Sequence, residues 1–137
     1  MRPSTLVPVY LHENLRRAAL VLWIVGVLFI AVGSLMPRFG PPSAYHMDKI
    51  LHMIGYACAG GVPFLAFRES RQVYRAALWM IPMGLFLEAA QDFVPTRAAE
   101  LGDAIANTSG VVLALLLGPL ARHLANRWFG VGVQSTG

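Results

Sequence analysis

Four long apolar runs, separated by short polar interruptions, set the plan of the chain. The first, residues 18–36, carries no charge at all. As a helix it would be roughly 28 Å long, close to the hydrocarbon thickness of a bilayer. The second covers about 48–67, the third about 76–95 and the fourth about 103–121. Gly55, Gly60, Gly61 and Pro63 in the second run, and Pro82 and Gly84 in the third, suit a helix in water poorly. Within a bilayer, neighbouring helices meet the backbone groups that such residues free. The pattern therefore predicts four transmembrane helices. A signal peptide is the rival reading of the first run, but that run is too long, and Pro37 follows it rather than a small-residue cleavage pattern.

The interruptions are just as regular. Residues 37–47 are rich in Pro and Gly, and Arg68, Glu69, Arg71 and Arg75 mark a short hydrophilic turn. Thr96, Arg97, Glu100 and Gly102 form a second polar loop. Arg122, His123 and Arg127 follow the fourth run, and 130–137 reads as a flexible tail.

Composition sharpens this picture. The chain is 56% apolar and 13% charged, against about 25% charged in soluble domains. The fold class expected is all-α: a polytopic four-helix transmembrane bundle, one domain over residues 1–137, with the lipid bilayer as its first partner. The formal charge is +4, but no basic stripe is interleaved with aromatics, so no nucleic-acid partner is expected. The lone cysteine, Cys58, permits no intrachain disulfide and reads as a small buried hydrophobe.

Charge also orients the chain. Arg2, Arg16, Arg17, Arg68, Arg71, Arg75, Arg122 and Arg127 fall on the side of the two termini, while only Arg38, Lys49 and Arg97 fall on the other. Basic loops stay in the cytoplasm, so both termini are expected inside and the 37–47 and 96–102 loops outside.

That orientation collects the polar residues in one layer. His52 lies about 5 Å below the outer start of the second span, and Asn107 about 6 Å below that of the fourth. Gln91 and Glu88 lie about 6 and 10 Å below the outer end of the third. The helical faces agree. Asp48, His52, Gly55 and Ala59 share a stripe, as do Gly84, Glu88, Asp92 and Pro95, and as do Asp103, Asn107, Gly110, Ala114 and Gly118. Small residues four apart let helices approach closely, so these stripes are packing faces. The first span contributes only Ser34 and is expected to serve packing.

Taken singly, each residue has an ordinary explanation. Asp48 and Asp103 can cap helices, Asn107 can join two helices by a hydrogen bond, and Lys49 can snorkel to the interface. Arg97 and Asp92 can be solvated, and Tyr56 can be packing. The joint placement of His52, Glu88, Gln91, Arg97 and Asn107 is what these readings leave over. His52 and Glu88 are the candidate catalytic pair, as proton shuttle and general base. Lys49 and Arg97 suit an anion, and Asp48, Gln91, Asp103 and Asn107 complete the candidate binding residues. His52 and Glu88 with Asp48 or Asp103 could hold a metal, but one histidine among carboxylates is not the usual zinc ligand set, so no metal and no cofactor is expected. The motifs of serine hydrolases, P-loop proteins and zinc proteases are absent from the sequence.

Three segments taken together, Asp48-Lys49-x-x-His52-x-x-x-Tyr56, Glu88-x-x-Gln91-x-Phe93-Val94-Pro95-x-Arg97 and Asp103-x-x-x-Asn107-Thr108-x-Gly110, resemble the VanZ-like family over residues 48–117. Ala98-Ala99-Glu100 departs from its pattern, where a small polar residue is expected after Arg97. The family comprises small bacterial membrane proteins and takes its name from one that lowers susceptibility to the glycopeptide teicoplanin. The resemblance implies a multi-pass protein of the bacterial cytoplasmic membrane. It implies a link to the cell envelope, and for the outward polar layer it suggests a substrate class: a lipid-linked or peptidoglycan precursor or a lipid head group. It supplies no reaction. Two alternatives stand beside it: a non-catalytic membrane binding or scaffold protein whose polar residues hold the bundle together, and a small proton-coupled transporter.

Overall fold

The computed structural model describes residues 9–37 and 47–132. Arg2, most of the 37–47 loop with Arg38, and residues 133–137 of the tail lie outside the described residues. The elements are β1 (Val9–Leu11), α1 (Glu13–Leu35), α2 (Met47–Gly61), α3 (Pro63–Ala66), α4 (Ser70–Gln91), α5 (Leu101–Phe129) and β2 (Gly130–Gly132). α1, α4, α5 and the α2–α3 pair each have the length and apolarity to cross a membrane. The protein is a four-helix membrane bundle.

α5 is its axis. Its buried residues are Asp103, Ala104, Asn107, Gly110, Val111, Ala114 and Gly118, one stripe with a small residue at almost every turn. α2 lies hard against that stripe. A Cβ at Gly110 would collide with the Met53 carbonyl and the Ala57 amide, both backbone atoms. Gly118 likewise makes room for the Phe64 ring, and a Cβ at Gly60 would stand 3.1 Å from that of Ala114. Van der Waals contact, not water expulsion, drives helix association in lipid, so this closeness is the source of the cohesion. Tyr56, Ala59, Met80 and Val111 form the core at this level, and Phe64, Val73 and Ala77 a second cluster.

Pro63 explains the break between α2 and α3. It brings no N–H to continue the ladder, and Val62 closes α2 by bonding to Cys58 O at 2.9 Å before a single new turn begins. α1 is peripheral. Ser34 is its one buried residue among those described, and Val21, Leu22, Val25, Leu28, Phe29 and Val32 are exposed, as a lipid-facing surface requires. Trp23 fastens it: the indole Nε1 donates to Ala59 O at 2.8 Å, and the ring meets Phe67 edge-on at 5.8 Å. Trp23→Phe is expected to remove that bond but keep the ring, lowering stability by about 1 kcal/mol. Thermal unfolding in detergent checks this; a loss above 3 kcal/mol would mean that the ring, not the bond, holds α1.

Basic residues gather at one end of the bundle. Glu13 pairs with Arg16 at 2.7 Å and Arg68 at 3.1 Å, Arg16 donates to Ala66 O at 3.2 Å, and Arg122 donates to Arg68 O. Over the same end, β1 and β2 pair antiparallel, with Tyr10 opposite Val131. Arg68 stacks on the Tyr10 ring at 5.7 Å.

Several expectations change. α4 starts at Ser70, not near 76, and stops at Gln91, not near 95; α5 runs on to Phe129 rather than ending near 121. Arg71, Arg75, Arg122 and Arg127 are therefore helical residues, because a helix does not stop where hydrocarbon gives way to water. Residues 130–132, read as frayed tail, are the second strand of the ribbon. Cys58, read as buried, is exposed on the outer surface of the bundle.

Candidate functional site

At the end away from the arginines, the start of α2, the end of α4 and the start of α5 meet. Asp48, Glu88, Asp92, Glu100 and Asp103, five of the seven carboxylates in the chain, belong to this end. Their geometry begins with Asp103. Asp103 does not cap α5, as its sequence position suggests. Glu100 is the N-cap, and Asp103 sits in the first turn, where a carboxylate complements the helix dipole. Its side chain is buried and divided between two partners. Oδ1 is 3.3 Å from Lys49 Nζ, and Oδ2 is 3.9 Å from His52 Nε2. Lys49 also reaches Glu100 Oε2 at 2.7 Å, so its ammonium bridges two carboxylates instead of snorkelling into free solvent. Gly102 leaves space for the Lys49 stem.

His52 is held from its other side by Asn107, whose Oδ1 is 3.0 Å from Nδ1. Here α2 and α5 are one turn from the Gly110 contact, which fixes the separation of the two side chains. Glu88 comes in from α4 and is 5% exposed. Its Oε1 accepts the Glu100 amide at 2.7 Å, tying the loop before α5 to α4. Its Oε2 has no hydrogen-bond partner among the described residues, and neither do Gln91 Nε2 and the Tyr56 hydroxyl. Gly84, one turn before Glu88, accommodates the Tyr56 ring, with a Cβ there only 2.8 Å from it.

The loop 92–100 covers this layer. Asp92 accepts the Ala99 amide at 2.7 Å, and Thr96 holds a left-handed φ of 66°, which costs a β-branched residue of the order of 1–2 kcal/mol. Arg97 does not simply extend into solvent. Its Nε donates to Met36 O at 3.0 Å and its NH2 to Gly33 O at 2.9 Å. These are orphan carbonyls at the end of α1, where a cation also complements the dipole. α1, expected only to pack, thereby helps to hold the loop. Gln91, Thr96, Arg97, Ala98, Glu100 and Asp103 line a cavity of about 250 Å³.

The structure thus brings His52, Glu88, Lys49, Asp103, Asn107, Gln91 and Arg97 to one end of the bundle. Asp48, in the first turn of α2, bonds the Lys49 amide at 3.0 Å. Asp92 and Pro95, placed by their spacing on the buried stripe of the third span, are exposed beyond its end. Glu100 is the residue that sequence reasoning passed over. The signal available was its position just before a helix start, opposite an unpaired lysine in the motif of the second span.

The VanZ/LLP1 family model matches residues 4–122. The chain belongs to the VanZ/LLP1 family. No curated protein and no solved structure matches it. The matched region takes in all of α1 to α4 and most of α5, so in this VanZ/LLP1 protein the polar end and the small-residue stripe both fall inside the family region.

Proposed function

We propose that this VanZ/LLP1 protein lies in the bacterial cytoplasmic membrane with both termini inside, and that its polar end is an outward pocket. The pocket binds or acts on a cell-envelope substrate, a lipid-linked or peptidoglycan precursor or a lipid head group. The observation that carries this reading is Glu88. Its carboxylate is buried in a span, where a charge is expensive; one oxygen accepts the amide of Glu100, which lines the cavity, and the other is left without a partner among the described residues. In this reading Glu88 is the general base, His52 carries the proton, and Asp48, Lys49, Gln91, Arg97, Asp103 and Asn107 form the walls. In this reading a change in susceptibility to a glycopeptide such as teicoplanin is the cellular effect to look for.

A scaffold reading has its own support, because Lys49, Glu100, Asp103 and Glu88 cross-link three helices. The transporter reading has less. The layer beneath the polar end is the apolar core of Tyr56, Ala59, Met80 and Val111.

Lipid and peptidoglycan-precursor pools, measured by mass spectrometry with and without the protein, test the proposal. A changed species is expected with the wild type, and the change should be lost in Glu88→Gln and His52→Ala at normal membrane levels. A full effect in both variants would refute the pocket, and disappearance of both from the membrane would favour the scaffold. Orientation is checked in a Cys58→Ala background. Ala99→Cys should label from outside, and Gln72→Cys only after permeabilisation.

A further inference from the structure

We infer that His52, Glu88 and Asp103 form a binding site for one divalent transition-metal cation. One ligand atom from each lies within 4.8 Å of the others, and the three come from α2, α4 and α5.

The histidine is set up as a ligand. In the tautomer that donates from Nδ1 to Asn107 Oδ1, 3.0 Å away, Nδ1 carries the proton. The ring lone pair is then on Nε2, which faces Asp103 Oδ2 across 3.9 Å. That gap is too long for a hydrogen bond. Two electron-rich atoms facing each other accommodate a cation between them, a proton on Nε2 or a metal ion. A metal ion about 2.1 Å from each would draw them only about half an ångström closer. A carbonyl on the far ring nitrogen is the usual means of fixing a metal-bound imidazole.

Glu88 supplies a separate observation. It is 95% buried, since 5% is exposed, and its Oε2 has no hydrogen-bond partner among the described residues. An orphaned carboxylate oxygen next to a second buried carboxylate is destabilising without a positive charge. Lys49 does not provide it. Its ammonium engages Asp103 by Oδ1 and Glu100 by Oε2, while the other oxygen of Asp103 faces His52. The same contacts dispose of the other acidic group, Asp48, Glu100 and Asp103, where the lysine itself is the cation.

One imidazole with two carboxylates, and room for further ligands, selects the class of ion. Mg²⁺ and Ca²⁺ favour all-oxygen shells, whereas Zn²⁺ and Mn²⁺ accept mixed nitrogen and oxygen. The ion also answers a difficulty with a bare anion pocket. Both cations of the site are already engaged, Lys49 by carboxylates and Arg97 by α1 carbonyls. A bound divalent ion would give an anionic head group a positive centre to approach.

The inference shares its location with the function proposed above but needs no envelope substrate; with the ion bound, His52 and Glu88 serve as its ligands in place of the proton carrier and general base of that reading. Protein carrying a histidine-free tag is purified in detergent, stripped with chelator and dialysed against Zn²⁺ or Mn²⁺. The expected result is one tight equivalent per chain, at least tenfold tighter than Mg²⁺. His52→Ala and Asp103→Asn should each weaken it more than tenfold, and Asn107→Ala about tenfold. The absence of a stoichiometric equivalent in the wild type, or its persistence unchanged in His52→Ala, would overturn the site. If the variants do not fold, X-ray absorption at the zinc edge of the wild type decides: one imidazole nitrogen among oxygens supports it, and a shell without imidazole overturns it. Metal binding in a protein that leaves precursor pools unchanged would sink the proposed function alone. Changed pools from a protein that takes up no metal would sink this inference alone.

Discussion

Gly110→Leu is expected to take the bundle apart. A side chain at this position has nowhere to go, because the atoms in its way are the Met53 carbonyl and the Ala57 amide of α2. A flexible side chain can rotate aside; a helix backbone can only move as a whole. Overpacking usually costs about 1–3 kcal/mol, and here the upper end or more is expected, since separating α2 from α5 also pulls His52 from Asn107. Gly26→Leu is the control. A Cβ there meets nothing within 4 Å, and a change within about 0.5 kcal/mol is expected. Thermal unfolding in detergent compares the two. Equal midpoints would mean that the α2–α5 contact is not what holds the fold.

Asp103→Ala comes next in size. Asp103 is 3% exposed and touches both Lys49 and His52. Its loss leaves the part-exposed Lys49 ammonium with Glu100 as its partner, so the cost is that of a lost buried contact, about 1–3 kcal/mol. Glu100→Ala removes a shorter contact to Lys49, 2.7 Å against 3.3 Å, yet the Glu100 side chain is 51% exposed. Water replaces such a partner well, and less than about 1 kcal/mol is expected. Denaturant titration of the two variants therefore separates burial from distance. If Glu100→Ala proved the more damaging, the charge of the loop, and not the buried hub, would be holding this end together.

These two residues also show what could be read from the chain alone. The stripe Asp103, Asn107, Gly110, Ala114, Gly118 is a statement about helical periodicity, and α5 buries that set. The four spans were legible for a similar reason, since apolar length is a local property. Helix ends were not. Hydropathy marks where a chain leaves hydrocarbon, while hydrogen bonding decides where a helix stops, and in α4 and α5 the two differ by one or two turns. Asp103 looked like a cap because caps are common at such positions, but the N-cap lies three residues earlier, at Glu100. The partners of Arg97 and Glu100 were out of reach for another reason. Both lie in or at the end of a loop, and loop contacts depend on tertiary geometry that no period encodes.

The bonds from Arg97 to Gly33 and Met36 have a mechanical consequence. α1 is the helix with the most surface against lipid and the least within the bundle. Its tilt is therefore the one most responsive to bilayer thickness, because a span longer than the local hydrocarbon leans over to fit. When α1 leans, the carbonyls at its end are displaced, and the guanidinium bound to them draws on the 92–100 loop. The loop over the cavity is thus anchored to the helix that is held least by the rest of the bundle.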